Sequence, residues 1–391
     1  MTTLAMWWWM PATGLFGLAQ IEKAPTFADD VRPILNQKCV ACHSEGGMGP
    51  FGLQTYEQVR KRADLVRLVA LTGQMPPTDA RSDFGALTPH QPLEPPELIA
   101  IQEWLRRGML EGRKTPPLSG VAKKEPAVSK HVATYKVGFG QKIPAEGRTL
   151  RTVYRIPLPP GGISYWHHFS FQPDSPKAVR QVIAAVQKKG APLPFTSAGI
   201  LPNVPLAAWS SGFNPWVSGG FVPIERGDSI WIQIRSVPTG KTESASGLVT
   251  FGREAKEGRI KSRSLGSRDF TIEADTQVVL QSEWVLDRDI DLVSAVPEAR
   301  FTTEQVRLMA TEPNGKVKTV FLVLTWDPVW PGAYNFAKPV RLKKGTKLTY
   351  EAVINNTRHG HTAEDNPPKK VRFGPKPTDE LFWCHLNYIP R

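Results

Sequence analysis

The stretch Ile230-Trp231-Ile232-Gln233-Ile234 places an isoleucine at every second position. Successive side chains of a strand point to opposite faces of a sheet, so this pattern predicts a strand with one buried face. Residues 150–156 alternate in the same way, with Leu150 and Ile156 on one side and Arg151 on the other. The middle of the chain therefore consists of amphipathic strands.

The same pattern extends to the end of the chain. Further strands are predicted at residues 319–325 and 348–354, and turn-forming pairs such as Asn314-Gly315 separate the strands. Roughly 250 residues of this kind are better housed in two sandwiches than in one. We therefore predict tandem antiparallel sandwiches over residues 132–258 and 268–391.

Residues 24–112 show helical periodicity instead. Thr55-Tyr56-Glu57-Gln58 is a capping box that opens one helix, and Pro95-Pro96-Glu97 opens another. Residues 113–131 are rich in Lys, Pro, Ser and Ala without periodicity, which is typical of a linker. The predicted fold class is multidomain: a small all-α domain followed by two all-β sandwiches.

The composition is that of a basic globular protein. The 391 residues are 40% hydrophobic and 22% charged, with a formal net charge of +13. A basic surface favours anionic partners such as acidic redox proteins or lipid headgroups. Lys and Arg are scattered and no nucleic-acid-binding motif is present, so nucleic acid is not an expected partner.

The N-terminus predicts export. Residues 4–19 carry no charge, and Gly17-Leu18-Ala19 offers a small-residue cleavage site. We predict a signal peptide at residues 1–19 and a periplasmic or secreted protein. Because no Lys or Arg precedes the apolar run, the alternative is an uncleaved segment that associates the protein with a membrane.

The motif Cys39-Val40-Ala41-Cys42-His43 carries the strongest functional signal. Two thiols at this spacing can bond to the vinyl groups of a haem, and the adjacent histidine then binds the iron. We predict covalent haem c. A redox disulfide and half of a zinc site are the alternatives. Cys384 then lacks a disulfide partner and is expected to be a buried apolar residue.

Met75 is the predicted second axial ligand of the haem iron. It lies in a proline-stiffened loop, Gly73-Gln74-Met75-Pro76-Pro77, downstream of the motif. Met48 lies too close to His43 in sequence, and Met109 falls in the last turn of a helix; a core methionine is the alternative for Met75. Ligation by His43 and Met75 raises the reduction potential and leaves no open iron position, which favours electron transfer.

The N-terminal region also resembles a known family. Residues 26–35, the CVACH motif, the Gly-Gly-Met-Gly-Pro-Phe segment at 46–51 and the Met75 loop resemble the cytochrome c domains that precede copper-dependent monooxygenase-like domains in bacterial proteins. The resemblance implies a helical cytochrome c domain. Thr78 departs from it, since many relatives carry Trp there.

The second half resembles the copper type II, ascorbate-dependent monooxygenases of the peptidylglycine-hydroxylating group. The resemblance lies in residues 166–169, 237–241, 366–374 and 378–380. It implies two sandwiches, each holding one copper, that hydroxylate C–H bonds. It also implies that His167 and His168 are the histidine pair of one copper site.

Most of the copper ligands that this resemblance implies are missing. Relatives place ligands where this chain has Arg235, Glu298, Arg300 and Leu381. Arginine does not lose its proton and is no copper ligand. Two histidines alone form a weak site, so the preferred interpretation of His167 and His168 is hydrogen-bonded strand residues. His359-Gly360-His361 is interpreted as a solvated loop rather than a metal site.

These observations predict a periplasmic or secreted monohaem c-type cytochrome that performs one-electron transfer. Its sandwiches, with a degenerate copper site, are expected to serve for binding or docking. The alternative is a copper-dependent monooxygenase that uses the haem as a built-in electron donor, so the prediction leaves open whether the protein is an oxidoreductase enzyme. A third hypothesis is a cell-surface interaction protein in which haem only stabilises a small domain.

Overall fold

Strands dominate the chain. The computed structural model describes residues 24–391 except 46, 78–79, 86, 89–91, 120–131, 157–163, 198, 211–215, 253–257, 331, 361–366 and 377. Strands account for 44% of the structure and helices for 12%. The predicted signal peptide at 1–19, residues 120–131 of the predicted linker, and His361 lie outside the described residues.

The helices are short and all lie in the N-terminal segment. A π-helical turn is followed by four α-helices and two short strands: Phe27–Val31, α1 (Arg32–Lys38), α2 (Tyr56–Arg60), α3 (Ala63–Leu71), β1 (Ala80–Arg81), β2 (Leu87–Thr88) and α4 (Pro95–Arg106). The predicted capping box of Thr55 and Gln58 is formed. Phe27, Trp104 and Leu118 are buried in the core of this segment. No described helix is long and apolar enough to cross a bilayer.

Two four-stranded antiparallel sheets form the first sandwich, with orders β10-β7-β12-β5 and β11-β6-β14-β3. The strands of this region are β3 (Val132–Val137), β4 (Lys142–Ile143), β5 (Leu150–Ile156), β6 (Ser164–Pro173), β7 (Val179–Gln187), β8 (Phe195–Thr196), β9 (Gly199–Ile200), β10 (Leu206–Ser210), β11 (Trp216–Ile224), β12 (Ser229–Ser236), β13 (Glu243–Ser244) and β14 (Gly247–Gly252). β4 pairs with β13, and β8 with β9.

Two five-stranded sheets form the second sandwich, with orders β1-β20-β19-β22-β17 and β15-β24-β18-β21-β2. Its strands are β15 (Lys261–Gly266), β16 (Thr271–Ile272), β17 (Thr276–Val285), β18 (Ile290–Glu298), β19 (Thr303–Thr311), β20 (Val317–Val323), β21 (Tyr334–Leu342), β22 (Lys347–Asn356), β23 (Val371–Arg372) and β24 (Trp383–Pro390). β16 pairs with β23.

The alternation of side chains on β12 determines which residues lie between the two sandwiches. Ile230, Ile232 and Ile234 are buried inside the first sandwich, as their spacing predicts. Gln233 and Arg235 point to the opposite face. That face borders the second sandwich, because nearby residues of β7 and β10 share a hydrophobic cluster with residues of the second sandwich. Polar side chains of β12 are therefore buried between the two sandwiches.

The predicted fold class, a small all-α cytochrome c domain followed by tandem sandwiches, is wrong. β1 pairs with β20 and β2 pairs with β21, so the N-terminal segment supplies an edge strand to each sheet of the second sandwich. Ala80 and Leu87 are buried in the core of that sandwich. An edge strand has unpaired backbone groups, and this pairing satisfies them. No separate all-α domain is present in the described structure.

Candidate functional site

Two cysteines and a histidine face one cavity at the end of α1. The Cys39 amide donates a hydrogen bond to the Leu35 carbonyl at 2.9 Å, and the His43 amide donates to the Cys39 carbonyl at 2.9 Å. This tight turn places Cys39, Cys42 and His43 on one wall of a cavity of about 300 Å³. The predicted site residues are thus brought together by a single turn of chain.

The His43 ring is held in one orientation. Its Nδ1 lies 3.0 Å from the carbonyl oxygen of Phe51. A carbonyl only accepts, so Nδ1 carries the proton and Nε2 keeps its lone pair. Burial lowers the pKa of His43 below its usual value of 6.5, against the opposing effect of that hydrogen bond. Gly49 allows this packing, since a Cβ there would lie 2.6 Å from His43 Nδ1.

Cys39 is a protonated thiol in the free protein. Burial, followed by the neighbouring Cys42, raises the pKa of Cys39 to about 12, so this group is a thiol at neutral pH. A protonated thiol is a poor nucleophile in disulfide exchange. Among the described residues, no three His, Cys, Asp or Glu side chains form a group that could hold a metal ion. Cys384 is fully buried in the second sandwich.

Two methionines line the same cavity as His43. The Met75 amide donates to the Val69 carbonyl at 3.0 Å, which ties the Met75 loop to the end of α3. Met48 also faces the cavity and is 7% exposed. Met109 does not line the cavity and packs against the core of the helical segment instead. Beside the two cysteine thiols, the structure therefore leaves the thioethers of Met75 and Met48 as the sulfur atoms that face the cavity.

The remaining walls are apolar, apart from two cations. Lys38 of α1 pairs with Glu97 at 3.3 Å, whereas Arg180 is a cation that no sequence motif indicates. Val69 of α3 and Ile101 of α4 contribute aliphatic side chains, whereas Arg180 of β7 and Trp330 reach in from the two sandwiches. The Arg180 guanidinium lies 4.3 Å from the centre of the Trp330 ring. Its Nε and Nη1 are buried without a hydrogen-bond partner among the described residues. Arg180 and Trp330 are separated by more than a hundred residues, so no local motif could predict their contact.

His167 and His168 do not line the cavity of His43. Both are buried on β6, at 3% and 1% exposure. Burial and then the neighbouring His167 lower the pKa of His168 to about 4, so its ring is neutral. Gly252 of β14 packs closely here, since a Cβ there would lie 2.7 Å from His167 Nε2 and 2.8 Å from His168 Cβ. Neither histidine lines the cavity that contains Arg235 and Arg300, two of the positions where the resemblance implies copper ligands.

The depressed pKa of His168 predicts acid sensitivity. The unfolded chain takes up a proton near pH 6.5 that the folded chain refuses until about pH 4, so stability falls as the pH falls through this window. We expect the free energy of unfolding to be about 2 kcal/mol lower at pH 5 than at pH 7.5 on account of this residue. Urea unfolding at the two pH values measures the difference.

The control for this prediction is a second histidine. His168→Gln should reduce the pH dependence, whereas His359→Gln, which changes an exposed residue, should leave it as in the wild type. An unchanged difference between pH 5 and pH 7.5 in His168→Gln would contradict the prediction.

Comparison with known proteins does not assign a family. No protein-family model matches the chain, and no curated protein matches it. Among solved structures it is similar to PNGF-II, with 9% identity over 62% of this chain and 59% of that chain and a TM-score of 0.25. The structure of Sulfolobus turreted icosahedral virus matches with 11% identity over 71% and 64% and a TM-score of 0.18. Oxalate decarboxylase from Bacillus subtilis matches with 9% identity over 68% and 78% and a TM-score of 0.15.

These similarities are too weak to indicate a function. The chain spans less than two thirds of the length of the first two structures. The resemblance to cytochrome c domains fused to copper monooxygenase-like sandwiches is wrong, because strands dominate the described residues and no separate helical domain is present among them. A β-sandwich architecture is what the structure shows. Function therefore has to be argued from the cavity itself.

Proposed function

We propose that this protein holds one haem, bonded through Cys39 and Cys42, and uses it for one-electron transfer. The observation that carries the proposal is that both thiols, His43 and Met75 line one apolar cavity. The CxxCH spacing suits the attachment of two thioethers beside an iron-binding histidine. When bound, the haem supplies an iron that accepts and releases single electrons.

The walls of the cavity fit such a group. Aliphatic side chains from α1, α3 and α4 surround most of the space, which suits the apolar porphyrin face. A haem also carries anionic propionates. Arg180 supplies a half-buried cation whose Nε and Nη1 are buried without a hydrogen-bond partner among the described residues, and a propionate would satisfy these donors.

The imidazole of His43 and the thioether of Met75 would bind the haem iron. The Phe51 carbonyl fixes the His43 ring and directs its lone pair to Nε2, the pattern that orients metal-binding histidines generally. Met75 supplies a thioether from a loop that Val69 anchors. With both side chains bound, no iron position would stay open for oxygen, and this would support electron transfer rather than oxygen chemistry.

Sequence features support a cellular location and a class of redox partner. The charge-free segment at residues 4–19 supports a periplasmic or secreted location. A net charge of +13 supports acidic electron donors or acceptors, because opposite charge accelerates encounter. The sandwiches, which supply Arg180 and Trp330 to the cavity, serve as the binding or docking part of the molecule.

A pair of methionine variants tests the ligand assignment. Met75→Leu is expected to lower the midpoint potential by on the order of 100 mV, because a thioether ligand raises it. Met48→Leu removes the other methionine sulfur of the cavity and should leave the midpoint potential nearly unchanged. Spectroscopic redox titration of the full-length, haem-loaded chain measures both values.

Two results would contradict the proposal. A wild-type haem that does not titrate reversibly as a one-electron couple would exclude the electron-transfer function. A large shift of the midpoint potential in Met48→Leu with none in Met75→Leu would show that Met48, and not Met75, is the iron ligand.

A further inference from the structure

A second cavity lies between the two sandwiches and is strongly basic. Its volume is about 670 Å³. Arg235 of β12 and Arg148 and Arg151 of the β5 region line it from the first sandwich, and Arg300 lines it from the second. Arg235 is 7% exposed and Arg300 is 5% exposed. Four guanidinium groups around one cavity, two of them buried, produce a strong local positive potential.

Two of these cations face each other directly. Arg235 and Arg151 are cross-strand partners in the pairing of β12 with β5. Like charges directly opposite each other on neighbouring strands destabilise a sheet. A bound anion between them would turn this repulsion into two attractions.

Arg235 makes no direct ion pair with a described carboxylate. Its Nε is buried without a hydrogen-bond partner. Glu298 and Asp327 attract its charge from a distance, and each already accepts a backbone hydrogen bond, Glu298 from the Ile200 amide at 3.2 Å and Asp327 from the Val329 amide at 2.7 Å. Burial, followed by Arg151, lowers the pKa of Arg235 to about 9, which still leaves it charged at neutral pH.

Arg300 is positioned differently from Arg235. Its Nη1 and Nη2 donate to the carbonyls of Lys376 and Pro375, while its Nε is buried without a partner. Backbone contacts thus fix this guanidinium as a rigid part of the wall. No such backbone contact holds Arg235, Arg151 or Arg148 among the described residues, so these three are the groups whose donors are available to a ligand.

Aromatic and proline side chains form part of the remaining wall, beside the polar residues Thr149, Thr196, Ser197 and Gln233. Phe195 and Phe301 face the cavity, together with Pro328 and Pro375. A bare inorganic ion makes no use of such surfaces, whereas the apolar part of an organic molecule gains free energy by covering them.

We propose that this cavity binds an organic carboxylate, with the carboxylate between Arg235 and Arg151 and the apolar body against Phe195 and Phe301. A planar guanidinium matches a carboxylate in two parallel hydrogen bonds. Arg300 adds positive charge from the opposite wall. This binding site is separate from the cavity of His43 and does not depend on haem.

Calorimetric titration of the full-length protein with phthalate, an aromatic dicarboxylate, tests the proposal. We expect one phthalate per chain, and binding at least about tenfold weaker in Arg235→Met, because each charge-assisted hydrogen bond is worth this much or more. Arg151→Met changes an exposed residue and so should fold; it is also expected to weaken binding. Arg155→Met is the matched control, because Arg155 is exposed on the same face of β5 outside the cavity.

Three results would overturn the proposal. The first is no binding of phthalate to the wild type. The second is wild-type affinity in Arg151→Met and in folded Arg235→Met. The third is binding of inorganic phosphate as tight as that of phthalate, which would remove any role of the apolar walls.

Discussion

The double variant Cys39→Ala/Cys42→Ala is expected to retain no haem after denaturation, whereas the wild type retains all of it. The two thioethers are the covalent bonds that we propose between protein and porphyrin, and without them haem is held by ligation and packing alone. Unfolding removes both the ligation and the packing. Haem staining of a denaturing gel, together with the reduced pyridine adduct spectrum, measures the covalently bound fraction.

The third cysteine provides the control. Cys384→Ala also removes a buried thiol, but from the second sandwich, where Cys384 lies in the hydrophobic core. It should lower stability modestly and leave haem attachment complete. A wild-type protein without covalent haem, or loss of haem in Cys384→Ala, would contradict the site assignment.

Local sequence was sufficient to identify several residues that line one cavity. The CVACH spacing is contained within one turn of chain, and the Met75 loop is defined by its own prolines. The structure places both at one cavity. Arg180 and Trp330 could not be predicted, because they reach this cavity from strands and loops of other sheets and no local pattern encodes such a contact. The hydrogen bond from His43 to the Phe51 carbonyl is likewise set by the folded loop.

The fold was predictable where the side-chain period was clear. The alternation of Ile230, Ile232 and Ile234 identified β12 because one face of that strand is buried. β1 and β2 have two residues each, too few for a period. Their pairing partners lie more than two hundred residues away, so their strand character arises from pairing with exposed sheet edges. This is why a separate helical domain was a wrong expectation.

The wrong resemblance still identified two positions that lie together. Arg235 and Arg300 were noted because they are not metal ligands. The structure places both on the wall of one cavity between the sandwiches. Cations that exclude a metal favour an anion, so the same residues that disfavour copper support the proposed carboxylate site.

Leu87→Ala is expected to lower the free energy of unfolding by about 3 kcal/mol, although Leu87 belongs to the N-terminal segment by sequence. Its side chain is 3% exposed and packs in the core of the second sandwich. Removing it leaves a cavity among residues of both five-stranded sheets. Urea unfolding followed by tryptophan fluorescence reports on this core, since Trp326 lies within it.

Leu68→Ala is the matched control for this effect. Leu68 lies in the same segment, on α3, but is 57% exposed, so its truncation should change stability by less than about 0.5 kcal/mol. If Leu87→Ala were as mild as Leu68→Ala, β2 would contribute no packing to the sandwich. A large loss in Leu87→Ala alone would show that β2 packs as an integral strand of the second sandwich, and β2 belongs to the same N-terminal segment as Cys39, Cys42 and His43.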